Sequence, residues 1–321
     1  MTRARLALLG LIALTLAALV FAWSLMGSAT VTQETSFTIP AGASVSAVAE
    51  KLEAEGLVSS ASGFVLQARI FGSDAPIQAG EFLLAPGMSQ GDILSAFQSG
   101  DVIRRFVTIP EGMPSILVWE RLMAEELLSG EVPVPPEGSI LPDTYDFERG
   151  QSREALVERM QAAMDTALAE EWAGRAPDIA VDTMRDALIL ASIVEKETGK
   201  PEERRMVAGL YSNRVKTGML LQADPTIIYP ITKGKPLGRR IRQSEISAVN
   251  GYNTYTRVGL PEGPITNPGR ESIAAVLDPA KTSALFMVAD GTGGHWFADT
   301  LEQHNANVAK WYAIRRERGE M

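Results

Sequence analysis

The chain has 321 residues, room for about two domains, and a formal net charge of −9, which argues against nucleic acid as its main partner. It has no cysteine, and this excludes a thiolate nucleophile, a cysteine-ligated zinc and a disulfide framework. Its only two histidines, His295 and His304, leave little scope for histidine triads or histidine-rich metal sites.

Arg3 and Arg5 precede a stretch, residues 6–26, that contains no charged side chain, and the next charge is Glu34. A helix of that length, rising about 1.5 Å per residue, reaches roughly 30 Å, the thickness of a bilayer core. Trp23 suits an interfacial anchor, and the two arginines put the N-terminus in the cytoplasm. Residues 1–30 are therefore expected to be a cytoplasmic tip and a single-pass transmembrane anchor. A cleaved signal peptide is the alternative, since Gly27-Ser28-Ala29 offers small residues for cutting. On either reading the chain from about residue 30 onward lies beyond the cytoplasmic membrane.

Between residues 37 and 125 one pattern recurs three times: a β-like run, a Pro/Gly turn, then helical spacing. Thr38-Ile39-Pro40-Ala41-Gly42 leads to Val48 and Leu52, and Leu84-Ala85-Pro86-Gly87-Met88 leads to Ile93 and Phe97. Thr108-Ile109-Pro110-Glu111-Gly112-Met113 leads to Val118 and Leu122. In each copy the two apolar positions share one helical face. Ser44 and Ser89 suit helix N-caps, and Pro114 suits a first helical turn. The pattern predicts a compact α+β module over residues 31–105 and a second large unit over residues 106–321.

A proline-rich connection, residues 132–138, follows, and Leu141-Pro142-Asp143-Thr144-Tyr145 reads as an ordered turn. Residues 152–170 read as an amphipathic helix, with Val157, Met160, Met164 and Leu168 at helical spacing. The uniform apolar run over residues 187–194 predicts a buried helix, with Asp182 as a plausible N-cap and Gly199 and Pro201 as its stop. The next helix is expected to begin at Pro201 and end near Gly218.

The last turn of the buried helix carries Glu195 and Glu197. Residues two apart on a helix point about 200° away from each other, so the pair cannot serve one site. One is expected to be catalytic, the other structural or solvated. Burial and the negative end of the helix dipole both raise a carboxyl pKa, as a general acid near neutral pH requires. Beyond lie segments rich in Tyr, Asn, Thr and Gly, including Gly251-Tyr252-Asn253-Thr254-Tyr255 and Asn267-Pro268-Gly269. Such residues stack on sugar rings and hydrogen-bond hydroxyls, and together they read as a carbohydrate groove around one acid.

The string Ala191-Ser192-Ile193-Val194-Glu195-Lys196-Glu197-Thr198 resembles the endolytic murein transglycosylases of the MltG (YceG-like) family. So do Pro142-Asp143-Thr144, Asn213-Arg214, Gly218-Met219, Leu221-Gln222, Asp224-Pro225-Thr226 and Tyr252-Asn253-Thr254-Tyr255. Gly259-Leu260-Pro261, Gly263-Pro264-Ile265, Asn267-Pro268-Gly269, Gly294-His295 with Phe297, and His304-Asn305 continue the match. Glu262 departs from it, standing where the family usually has a second proline, and residues 238–242 form a more variable basic run.

The resemblance implies a membrane-anchored enzyme that cuts peptidoglycan glycan strands internally and ends nascent elongation, beside cell-wall synthases. It implies a LysM-like glycan-binding module and a mixed helix/strand catalytic domain with a lysozyme-like catalytic helix. Other lytic transglycosylases place the catalytic glutamate directly before a serine, a pair to which Glu197-Thr198 is similar, so Glu197 is the expected acid. Gln222, Tyr252, Asn253 and Tyr255 are candidates to hold N-acetyl and hydroxyl groups. Asp224 is either an Asx cap or a second carboxylate. Asn267 fixes the turn before Pro268 and counts among the candidate substrate contacts, and His295 donates to glycan or to a loop carbonyl. No P-loop, dinucleotide fingerprint or metal-ligand pattern is present, so no cofactor or metal is expected. A muramidase that uses water, with Asp224 as its second carboxylate, and a non-catalytic cell-wall scaffold are the competing readings.

Overall fold

The computed structural model describes Leu8, residues 10–16 and residues 31–320. Leu8 and residues 10–16 are helical, and most of the expected anchor lies outside the described residues. No helix among the described residues is long and apolar enough to cross a membrane. The chain forms two compact units, divided between Arg105 and Phe106.

In the first unit, strand β1 (Thr35–Ile39) turns Phe37 and Ile39 inward by strict alternation. It pairs antiparallel with β2 (Gly80–Leu84), which sets Phe37 opposite Phe82. Helices α1 (Val45–Ala54) and α2 (Ala61–Phe71) lie between the strands in sequence, and α3 (Gln90–Ser99) follows β2. Phe97 of α3 stacks on Phe37 at 5.6 Å and meets Phe82 at 4.8 Å, so three rings from three elements close the core. Offset and tilted ring pairs of this kind add about 0.5–1.5 kcal/mol each beyond their area. Ser44 caps α1, and Ser89 and Asp92 cap α3 reciprocally. Helix α2 falls outside the threefold pattern because only Phe64 and Gln67 of it are buried, while Leu66, Ile70 and Phe71 are exposed.

The third copy of the pattern opens the second unit, with β3 (Arg105–Thr108) leading to α4 (Ser115–Ala124). Val118 and Leu122 are buried as the spacing requires, while Pro114 is the N-cap rather than the first helical residue. Strand β3 pairs with β4 (Thr144–Phe147). Tyr145, expected in a turn, lies within β4, and its hydroxyl donates to Leu141 O at 2.7 Å. Helix α5 (Arg153–Ala173) buries Met160 and Met164.

Helix α6 (Met184–Glu197) is the centre of this unit and packs against α5, α7 (Arg204–Lys216), α8 (Pro225–Thr232) and α10 (Arg270–Leu277). Ala187, Leu190, Ala191, Ile193 and Val194 share one apolar cluster with Val207, Leu210 and Tyr211 of α7 and Ile273 and Val276 of α10. Each large aliphatic side chain buried there stabilises by roughly 1.5–3 kcal/mol. The N-cap is Thr183, one residue beyond Asp182, because Thr183 Oγ1 accepts from Asp186 N at 3.1 Å and donates to the Asp186 carboxylate at 2.7 Å. A 3-10 turn over Pro201–Glu203 precedes α7. A short α9 (Gln243–Ile246), the antiparallel hairpin β5 (Phe286–Ala289) and β6 (His295–Ala298), and α11 (Leu301–Glu317) complete the unit.

The start of α5 is tied to the end of α4 by one buried cation. The Arg153 guanidinium donates to the carbonyls of Leu122 at 2.7 Å, Gly130 at 2.6 Å and Glu125 at 2.8 Å. Arg153→Met leaves these acceptors unpaired and is expected to cost about 2–4 kcal/mol in urea denaturation. A loss below about 1 kcal/mol would show that the carbonyls find other donors.

Candidate active site

The two glutamates of the last turn of α6 leave it in opposite directions. Glu195 Oε2 accepts from Gly269 N at 3.0 Å and from Ser272 Oγ at 2.7 Å. Gly269 is the N-cap of α10, so Glu195 places a carboxylate on the positive end of that helix and satisfies one of its free N–H groups.

Glu197 turns instead into a cleft of about 370 Å³, lined by Tyr211 and Arg214 of α7, Gln222 and Asp224 of the loop before α8, Tyr255 and Met287. The residue is partly exposed, yet its Oε1 is buried and meets no hydrogen-bond partner. The Tyr211 hydroxyl donates to the same carboxyl group. Burial pushes the Glu197 pKa up to about 7, with the negative charge of Asp224 adding to the rise and Tyr211 and Arg214 opposing it. A carboxyl in this state carries its proton near neutral pH.

Two loops build the opposite wall. Gln222 sits at φ 50°, a left-handed conformation unusual for a residue with a Cβ. It is held by a hydrogen bond from its N–H to Thr254 O at 3.1 Å, and Ala223 N donates to Thr254 Oγ1 at 3.1 Å. The fully buried hydroxyls of Thr226 and Thr254 meet at 2.8 Å and lock the loops in register. Asp224 stands at the N-cap position of α8 but caps nothing there. Its Oδ1 accepts from the Tyr255 hydroxyl at 2.5 Å, so the Asx-cap expectation gives way to a second carboxylate inside the cleft.

Arg214 fastens α7 to both neighbours. Its Nε donates to Leu285 O at 2.7 Å and its Nη1 to Leu221 O at 2.6 Å. Burial pulls its pKa down, although Tyr211 and Glu197 act against that.

Four expected contacts lie away from the cleft lining. Asn253 is fully buried, its Nδ2 donating to the carbonyls of Glu245, Ile246 and Ala248 and its Oδ1 accepting from Tyr255 N. Asn267 is fully buried too, its Oδ1 accepting from Ile140 N at 3.0 Å and its Nδ2 donating to Met113 O at 2.9 Å. Both amides bond chiefly to backbone groups, and neither lines the cleft. Tyr252 packs its ring 4.8 Å from Tyr229. His295 pairs with a carboxylate: its Nδ1 lies 2.9 Å from Glu203 Oε2, and its N–H donates to Glu203 Oε1 at 3.0 Å. Sequence reasoning gave no role to Tyr211, Arg214, Thr226 or Thr254. The Asn213-Arg214 and Asp224-Pro225-Thr226 strings were the available signal. Among the described residues no group of three or more His, Asp or Glu is placed to hold a metal ion.

A model of the YceG-like family matches residues 37–310. The chain belongs to the YceG-like family. An endolytic murein transglycosylase of Streptococcus pneumoniae serotype 2 (strain D39) is 30% identical, with the alignment covering 85% of this chain. The chain spans 57% of the length of that relative. The endolytic murein transglycosylase of Bacillus subtilis (strain 168) is 26% identical, over 88% of this chain and 86% of its own. The crystal structure of a putative YceG-like protein from Listeria monocytogenes superposes with a TM-score of 0.53 at 27% identity, covering 85% of this chain and 98% of that one.

The two glutamates of this YceG-like chain are expected to respond oppositely to substitution. The folded protein keeps the Glu197 proton up to about pH 7, whereas the ordinary value is 4.5, so wild-type stability falls as pH rises across that window. Glu197→Gln is therefore expected to be more stable than wild type at pH 8, by on the order of 2 kcal/mol, and equal to it at pH 4. Glu195→Ala should instead lose about 1–3 kcal/mol at pH 8, because it strips the N-terminus of α10. Urea denaturation of the two variants at both pH values checks this, and matching behaviour would refute the division of roles.

Proposed function

We propose that the chain is an endolytic lytic transglycosylase of peptidoglycan, cleaving the β-1,4 bond between N-acetylmuramyl and N-acetylglucosamine units with Glu197 as its acid. The observation that carries this reading is the buried, unpartnered Oε1 of Glu197, on a carboxyl whose pKa is pushed up to about 7. The names of the streptococcal and Bacillus relatives support the substrate class.

Protonated Glu197 donates to the bridging oxygen, the C1–O bond breaks, and positive charge develops at the muramyl C1. The resulting carboxylate takes the proton of that sugar's C6 hydroxyl, whose oxygen bonds to C1. The product carries a 1,6-anhydro end, Glu197 regains its proton, and no water is consumed. An oriented intramolecular attack has a high effective molarity and outruns water in a dry cleft. Tyr211 holds the carboxyl group from α7, and exposed Gln222 offers its amide to sugar hydroxyl or acetamido groups at the rim.

The presence of Asp224 in the same cleft gives a second reading, a hydrolase in which it activates water. For the first unit the reading is a LysM-like glycan-binding module, supported by a strand–helix–helix–strand order around its own core. The uncharged residues 6–26 support a single-pass anchor in the inner membrane, with the N-terminus in the cytoplasm and the enzyme periplasmic beside cell-wall synthases. A role in terminating nascent strands accords with that topology.

Mass spectrometry of purified glycan strands after digestion tests the activity. Anhydro ends are expected from the wild type, reducing ends would favour the hydrolase, and Glu197→Gln should lower cleavage by about 10²–10⁴-fold. Cleavage undiminished in Glu197→Gln would remove Glu197 from the chemistry.

A further inference from the structure

Five residues of the second unit converge on one small arrangement that acid catalysis alone does not explain. Thr226 and Thr254, hydroxyl to hydroxyl at 2.8 Å, fix the first turn of α8 against the loop after α9. Asp224 stands two residues before Thr226, and Tyr255 directly follows Thr254. The clamp therefore presents these two side chains to each other, and they meet at 2.5 Å. Asn253 fixes the Tyr255 main chain from behind by accepting from its N–H at 3.0 Å.

Asp224 is on the exposed side of the cleft, where an unrestrained carboxylate would turn to water. The hydroxyl of Tyr255 prevents this. A short O–H to carboxylate bond is charge-assisted and directional. From this geometry we propose that Tyr255 and Asp224 are a positioning pair for the acid: Tyr255 pins the Asp224 side chain beside Glu197. Held there, the carboxylate keeps the acid protonated before reaction and stabilises the positive charge that develops at C1.

The inference rests on Glu197 being the acid. It assigns Asp224 an electrostatic role, with no proton passing through it. The other charged and titratable groups facing Glu197 are Tyr211 and Arg214 of α7 and Lys196 of its own helix, with Tyr255 beyond Asp224. His304 of α11 lies near Arg214, and its pKa is lowered by burial and by that cation. Tyr211 and Arg214 act against the proton on Glu197, which leaves Asp224 as the charge working with burial to retain it.

The test is the pH dependence of kcat for strand cleavage by the full chain, in wild type, Asp224→Asn and Tyr255→Phe, with urea stability measured alongside. The wild-type rate should fall as pH rises through the Glu197 pKa. Asp224→Asn should move that limb down by about one pH unit, because a neutral amide no longer disfavours the charged acid. Tyr255→Phe keeps the ring and is expected to move the limb in the same direction by less. It should lower kcat about tenfold with little change in KM or stability. Asp224→Glu should restore part of the wild-type limb. An unmoved limb in Asp224→Asn would overturn the pair, as would a uniform loss of rate matched by a loss of stability in both variants. A wild-type rate indifferent to Glu197→Gln is a separate outcome, which overturns the acid itself.

Discussion

Helix α6 is buried along most of its length, and this constraint decides the chemistry of its last turn. With α5, α7, α8 and α10 packed against it, the helix can neither rotate nor slide without opening the core. A rotation fixed in this way sends Glu195 to the N-terminus of α10 and Glu197 into the cleft. The two carboxylates begin as near neighbours in sequence and end in opposite electrostatic settings. One meets a backbone N–H and a hydroxyl. The other has a buried oxygen with nothing to accept from and a like charge close by.

Helix α7 supplies the rest of the setting. Tyr211 and Arg214, three residues apart, face the same side, so the hydroxyl that meets Glu197 and the guanidinium that opposes its proton arrive together. Arg214 also joins α7 to the carbonyls of Leu221 and Leu285, so the loop that carries Gln222 and Asp224 cannot drift from the acid. The acid is thus raised by burial but kept from rising without limit, and the groups that oppose it also hold the wall in place.

Much of the second unit was legible because its helices are amphipathic or wholly apolar. Val157, Met160 and Met164 announce α5, and residues 187–194 announce α6. The opposition of Glu195 and Glu197 follows from helix geometry alone. Caps were less legible: Asp182 and Thr183 are both good cap residues, and only the return bond from Asp186 selects Thr183. The loops were least legible. Asn253 and Asn267 look like sugar ligands in sequence, yet burial turns each amide onto backbone groups 5–8 or more than 100 residues away. Asp224 precedes a helix and reads as a cap, but a partner 31 residues later claims its carboxylate. Long-range hydrogen bonds leave no periodic trace, so the side chains they engage are the ones that sequence misassigns.

The central claim is that the fold holds the Glu197 carboxyl protonated near neutral pH. A carbon-13 NMR titration of the glutamate carboxyl groups, with Glu197→Gln used to assign the resonance, measures this directly. A Glu197 midpoint at about 7 is expected. A midpoint at the ordinary value of 4.5 would contradict it, whatever the products of the reaction prove to be.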